Sequence, residues 1–263
     1  MRLRPRDWAW GAAALACAAL FVRLGIWQLH RLEQRRGRNA VRAARRALPP
    51  ILLGGVGAGR GGAGWGAGWG SLTLDSVQDR RVVARGTYDY SAERLWTGRT
   101  YEGTPGVAVL TPLRLADVGG EGRGGRGGRG GRGETRAAVF VDRGWVPSPD
   151  GVHIDHEAVR EGDTASVEGL AFAAPRARGD VDIARVGNSV SYPLLPFIIQ
   201  QTPAVRQSDR ASVRLLYRWP APALEDGPHL SYAIQWFSFA IITLVGTAAL
   251  LRKTASESSR PTI

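Results

Sequence analysis

Residues 230–251 read LSYAIQWFSFAIITLVGTAALL, a run without a charge that stops at Arg252 and Lys253. At about 1.5 Å of rise per residue it can cross a hydrocarbon core of roughly 30 Å, so it predicts a transmembrane helix over 230–251. A second run, WAWGAAALACAALFVRLGIWQL at 8–29, is interrupted only by Arg23. Trp8 and Trp10 mark one border and Trp27 the other, where aromatic belts sit. Arg23 lies one turn before Trp27 and can snorkel to the interface. Two spans therefore bracket the chain, with residues 1–7 before them and 252–263 after them.

The first run has a rival reading. Arg2, Arg4 and Arg6 followed by an apolar stretch also suit a signal peptide, and ALAC at 14–17 approximates a lipoprotein cleavage site. Ala14 stands where such a site wants leucine, and the apolar character continues past Cys17, so a retained span is the expectation. Cys17 then faces the membrane interior. Seven residues before the span are too few for a mitochondrial transit peptide, which makes a bacterial inner membrane the expected setting.

Composition sets further bounds. With 263 residues and 44% apolar content the chain has room for one medium domain plus extras. Its single cysteine excludes a disulfide framework, a multi-cysteine zinc site and a CxxC redox pair. The net charge of +12 comes almost wholly from arginine, Lys253 being the only lysine. That bias reads as GC-rich coding and weakens the usual link between high pI and nucleic acid. Charge also leaves orientation open. Arg2, Arg4, Arg6, Arg252, Lys253 and Arg260 flank the spans on the terminal side, against Arg31, Arg35, Arg36, Arg38, Arg42, Arg45, Arg46, Arg210, Arg214 and Arg218 on the connecting side. The positive-inside rule would hold the middle in the cytoplasm, but loops beyond about 60 residues cross largely regardless of charge.

Residues 30–48 (HRLEQRRGRNAVRAARRAL) continue the first helix as a basic, juxtamembrane segment. A linker is expected over 49–79, because GGVGAGRGGAGWGAGWG at 54–70 has almost no side chains to pack. From residue 80 the pattern is β. Short runs rich in β-branched and aromatic residues occur at 80–90, 94–100, 106–115, 137–146, 164–172, 194–201 and 212–219, separated by Gly, Pro and Asp. A compact antiparallel domain, barrel-like or sandwich-like, is expected over 80–229. Its loop at 119–133, GGEGRGGRGGRGGRG, joins two strands that read as a hairpin. RGG repeats occur in RNA-binding tails, which work by charge and flexibility. This one is short and has no interleaved aromatic, and a longer hairpin loop costs little closure entropy, so no nucleic-acid partner is expected.

Enzyme signatures are absent: there is no HExxH, CxxC, Walker loop or GxSxG, and nothing places Ser, His and Asp together. No catalytic residue is assigned. His153 and His156 lie in an acidic polar loop at a spacing a metal could use, although exposed loop histidines are commoner; His30 sits just past the first span. His229 differs, because it follows Pro228 directly before the second span. Proline suits a helix start, so His229 belongs in the first turn at the membrane surface. The positive end of the helix dipole favours neutral imidazole, the form that ligates metals, while Glu225 and Asp226 push the other way. Helical spacing puts Tyr232, Ala233 and Trp236 below it on one face. Such a face suits a haem with a lipophilic tail, and equally an interfacial histidine with aromatic-belt neighbours.

These motifs together are similar to the surfeit locus protein 1 family. LGIWQLHR (24–31) resembles the family's motif at the end of the first span, and ARGTYDY (84–90) its first strand block. YEGTPGVAVLTP (101–112) with VFVDRGWVP (139–147) resembles its central signature, and HLSYAIQWFSFA (229–240) its second span. The resemblance implies an assembly factor for cytochrome c oxidase, a chaperone of respiratory-chain biogenesis and not an enzyme. It implies both termini in the cytoplasm and the β-rich middle in the periplasm. It further implies haem a as the ligand, with the catalytic oxidase subunit, haem a synthase and the lipid bilayer as partners. By position His229 matches the family's candidate haem ligand, with Tyr232 and Trp236 beside it and Arg31 or Arg35 placed to pair with propionates. Gly25, Trp27 and Gln28 match the first-span motif, where Gln28 could hydrogen-bond across the helix pair. Gly86, Gly106, Arg143, Gly144 and Trp145 match structural positions of the β-domain. Asp142 departs from the pattern, standing where the family usually has asparagine, and RARGDVDIARVGNSVSYPLLPF at 176–197 lacks the family's usual tryptophan motif. A scaffold that holds the oxidase without binding haem is the alternative.

Overall fold

Pro5 opens helix α1 (Pro5–Ala47), a position where a missing N–H costs nothing. Asp7 in the first turn and Arg45 and Arg46 in the last match the helix dipole. Pro49 and Pro50 end it, because proline cannot continue the hydrogen-bond ladder. The computed structural model describes residues 5–54, 72–116, 137–174, 182–203 and 216–257. The RGG repeat at 119–133 and most of the glycine-rich stretch lie outside them. One helix thus carries both the apolar run and the basic stretch after it. The other long helix, α4 (His229–Glu257), starts after Gly227, whose φ of 73° only glycine adopts cheaply. Both are long and apolar enough to cross a membrane.

The β-rich unit, Ala44–Ala223, is built on one seven-stranded sheet. Its strands are β1 (Ile51–Leu53), β2 (Arg81–Tyr88), β3 (Arg94–Tyr101), β4 (Thr104–Leu115), β5 (Ala138–Pro147), β6 (Thr164–Phe172) and β7 (Leu194–Gln201). They lie in the order β1-β2-β6-β7-β5-β4-β3. β2 also pairs with β4, Gly86 opposite Leu115 and Tyr88 opposite Leu113, so the sheet curls round towards itself in a barrel-like manner. The sheet is mixed, not wholly antiparallel: β1 runs parallel to β2 and β5 parallel to β7. Short helices α2 (Leu74–Val77) and α3 (Ile183–Gly187) complete the unit.

Alternation places Val82, Ala84 and Tyr88 of β2 inward, where they meet Leu113, Leu115, Val139, Val141, Val167, Phe197 and Ile199. β4 and β5 are buried on both faces, which explains their near-continuous apolar sequence. Their outer face carries Ala108, Leu110 and Phe140 under Val186 of α3, with Trp96 and Phe172 alongside.

Two expectations need correction. The stretch 49–79 is not linker throughout: Ile51–Leu53 pairs with β2, and α2, held by a Thr73/Ser76 capping box, buries Val77 in the core. Three residues are too few to show a strand period, and only the neighbouring strand defines β1. The run SVRLLYRW at 212–219 forms no strand in its described part, 216–219. Tyr217 alone pairs, antiparallel with Trp145 of β5, and the segment runs on as a strap to Pro220 and Ala221.

Candidate functional site

In the helical unit α1 and α4 pack antiparallel along a seam that follows alternating spacings of three and four on α1: Ala18, Phe21, Gly25, Gln28, Leu32, Arg35 and Asn39. This is the spacing that keeps one helix stripe on a neighbour. Small residues set the approach, with Ala18, Gly25, Ala233 and Ala240 all buried. A Cβ on Gly25 would sit 2.7 Å from the ring of Phe237. Phe21 stacks on Trp236 at 5.7 Å between ring centroids and leans on Phe239 at 5.9 Å.

At the head of α4 the carbonyl of Pro228 accepts from Tyr232 N–H at 3.1 Å, so Pro228 caps the helix and His229 is its first residue. Its ring is half-buried, and Nδ1 lies 2.9 Å from Oε1 of Gln28. The approach to this turn is clamped by α1. Arg35 Nε and Asn39 Nδ2 both donate to the carbonyl of Glu225, at 2.9 and 3.0 Å, and Arg36 pairs with Asp226 at 2.8 Å.

The sequence-expected residues are distributed unequally around His229. Gln28 meets it directly. Trp236 turns into the seam against Phe21, and Ala233 is fully covered there, while Tyr232 stays 46% exposed on the flank. Arg31 is exposed, its guanidinium 5.4 Å from the centre of the Trp27 ring, and Arg35 is engaged with Glu225. Sequence reading missed Phe21, Asn39 and the Glu225–Asp226 clamp. The three-four stripe on α1 was the signal for the first two.

In the β-rich unit Gly86 lies opposite Leu115 at one end of β4, while Gly106, Arg143, Gly144 and Trp145 gather towards its other end, where β4 meets β5. Gly86 lies against β4 so closely that a Cβ would be 2.1 Å from the carbonyl of Arg114. Gly106 lies beneath Trp145, where a Cβ would be 2.5 Å from the indole. Gly144, at φ 136°, lets Trp145 exchange two 2.7 Å backbone hydrogen bonds with Tyr217. Trp145, Tyr217 and Trp219 then close around Tyr101, which stacks on Tyr217 at 4.1 Å. Arg143 is fully buried. It donates to Glu93 at 3.0 Å, to Glu161 at 3.4 Å, to Thr111 at 3.3 Å and to the carbonyl of Val159, and sits 5.2 Å from both the Tyr88 and Tyr90 rings. Arg218 adds bonds to Glu161 and to the carbonyl of Arg143. Burial, reinforced by the Glu161 charge, pushes the Tyr88 hydroxyl well above the ordinary phenol range. These arrangements lock strands together and hold charges in place.

His153 and His156 bind separate carboxylates, Asp150 at 2.5 Å and Glu93 at 2.7 Å. A cleft of about 440 Å³ under the strap is lined by Arg46, Arg81, Glu168, Leu170, Pro203 and Pro220. There Arg46 ties the strap to α2's end, donating to the carbonyl of Pro222 at 2.7 Å and facing Asp79 at 3.6 Å.

Two apolar helices flanking a curled seven-stranded domain are the architecture of a protein anchored in a membrane. The SURF1 family model matches residues 15–241, and the chain belongs to that family, whose members are assembly factors for cytochrome c oxidase. No curated protein matches the chain.

Proposed function

We propose that this protein supports delivery or insertion of haem a into the catalytic subunit of cytochrome c oxidase, with His229 as axial ligand. One observation carries the reading. His229 is a half-buried imidazole in the first turn of α4, with one ring nitrogen beside Gln28 and the other without a hydrogen-bond partner among the described residues. Neutral imidazole nitrogen is a common iron ligand. Haem would supply the iron centre; the chain supplies the ligand, a flanking exposed Tyr232 and the exposed Arg31 as a propionate partner. Arg35 is the weaker candidate for that pairing, since its Nε is already used by Glu225. The reading places 8–29 and 230–251 across a bacterial inner membrane, both termini in the cytoplasm and the β-rich unit in the periplasm. Haem a synthase is then the donor and the oxidase subunit the acceptor.

A second reading has its own support. Ala233 and Trp236 face α1, so His229 lacks the open aromatic face a porphyrin would use, and this favours a scaffold that holds the nascent subunit without haem. Purification of the full chain from membranes making haem a separates the two. A Soret band present in the wild type and lost in His229→Ala supports haem carriage. Co-purification of the oxidase subunit with no band in either protein supports the scaffold.

A further inference from the structure

We infer that Gln28 is a positioning residue: its carboxamide oxygen holds the His229 proton on Nδ1 and leaves Nε2 as the ring's outward lone pair. Neutral imidazole has one N–H and one lone pair, and the oxygen of a carboxamide can only accept. With Oε1 of Gln28 2.9 Å from Nδ1, the contact is a hydrogen bond when the proton sits on Nδ1. A histidine ring in water otherwise prefers its proton on Nε2, which would turn the outward nitrogen into a donor unable to ligate. A hydrogen bond on one ring nitrogen setting the role of the other is the usual device at metal-bound histidines.

The seam makes the contact possible. Gly25, one turn before Gln28, has no side chain, and a Cβ there would press 2.7 Å from the Phe237 ring. Arg35, Arg36 and Asn39 hold Glu225 and Asp226, fixing the register in which α4 begins. The ring is thus aimed by α1 at two levels, through the backbone before it and through Gln28 directly. The functional consequence rests on His229 being a haem ligand; the tautomer itself does not.

The test uses the full chain in lipid nanodiscs with ¹⁵N-labelled histidine, whose nitrogen shifts distinguish the two neutral tautomers from the charged ring. Subtracting the His229→Ala spectrum isolates the signal. The wild type is expected to show Nδ1–H. Gln28→Leu, similar in size but without an acceptor, should shift the ring to Nε2–H, and Gln28→Glu, which keeps an acceptor oxygen, should restore Nδ1–H. Haem a titration followed by visible absorption should weaken about 10- to 100-fold in Gln28→Leu and stay near wild type in Gln28→Glu. A wild-type ring protonated at Nε2, or a tautomer unchanged by Gln28→Leu, would overturn the inference. If the tautomers behave as expected while His229→Ala binds haem a as the wild type does, Gln28 keeps its role and the haem-ligand reading is the one that fails.

Discussion

Arg143 and Glu93 lie 3.0 Å apart inside the β-rich unit, with no exposure of the arginine side chain and 5% of the glutamate's. Glu93 also takes the Thr111 hydroxyl at 2.7 Å and His156 at 2.7 Å, so one carboxylate joins β4, β5 and the 150–160 loop. Removing the arginine would leave Glu93 uncompensated in a low-dielectric site. Arg143→Ala should therefore cost about 3–5 kcal/mol, and Arg143→Lys should recover only part of it, since one ammonium cannot reach Glu93, Glu161 and the Val159 carbonyl together. Thermal unfolding of the solubilised full chain checks this. A midpoint within a degree of wild type for Arg143→Ala would show that the ion network contributes little.

Asp142 is the neighbouring case with the opposite sign. Burial pushes its carboxyl up to about 6, against the lowering pull of Arg99 and of the Gly144 N–H, which donates to Oδ1 at 3.2 Å. A folded-state value above the unfolded one means stability is full below about pH 4 and is lost as pH rises towards and through 6. Asp142→Asn keeps an acceptor for Gly144 and removes the buried charge, so it should stabilise the unit by about 2–3 kcal/mol at pH 7.5 and hardly at all at pH 4. Unfolding midpoints of the two proteins at both pH values would decide it; equal midpoints at pH 7.5 would contradict the assignment.

Gly86 allows β2 and β4 to meet. A methyl group there would meet the Arg114 carbonyl at 2.1 Å and the Leu113 side chain at 3.1 Å, and backbone cannot rotate aside. Gly86→Ala should cost about 2–4 kcal/mol. Amide exchange should report the loss locally, with the Ala116 amide, which donates to the Arg85 carbonyl of β2 at 2.9 Å, losing protection before the β5–β7 pairing does. Uniform protection across the sheet would argue that the β2–β4 closure is unimportant.

Gly25 should respond differently to small and large substitutions. Gly25→Ala meets only the far edge of the Phe237 ring, which can turn, so little change is expected. Gly25→Leu should push the helices apart by ~2 Å and break the Gln28–His229 contact. Spin labels on the exposed positions Ile26 and Ile234 would report the separation. An unchanged distance in Gly25→Leu would show that Gly25 does not set the approach.

Sequence alone determined what depends on contiguous residues. The two apolar runs announce their helices because hydropathy sums along a window, and Pro228 places His229 at the head of α4 by local stereochemistry. Strands β2 to β7 were legible because alternation and β-branching are likewise local. Tertiary structure decided the rest. Ile51–Leu53 is a strand only because β2 lies beside it, and 216–219 is a strap because β7, not this run, lies beside the core of β5. Trp236 belongs to the helix seam because Phe21, from the other end of the chain, covers it. Asp142 carries a perturbed carboxyl because folding buries it. The contact of Gln28 with His229 joins residues 201 positions apart, and no window of sequence contains both; only the packing of α1 on α4 brings an acceptor to that ring.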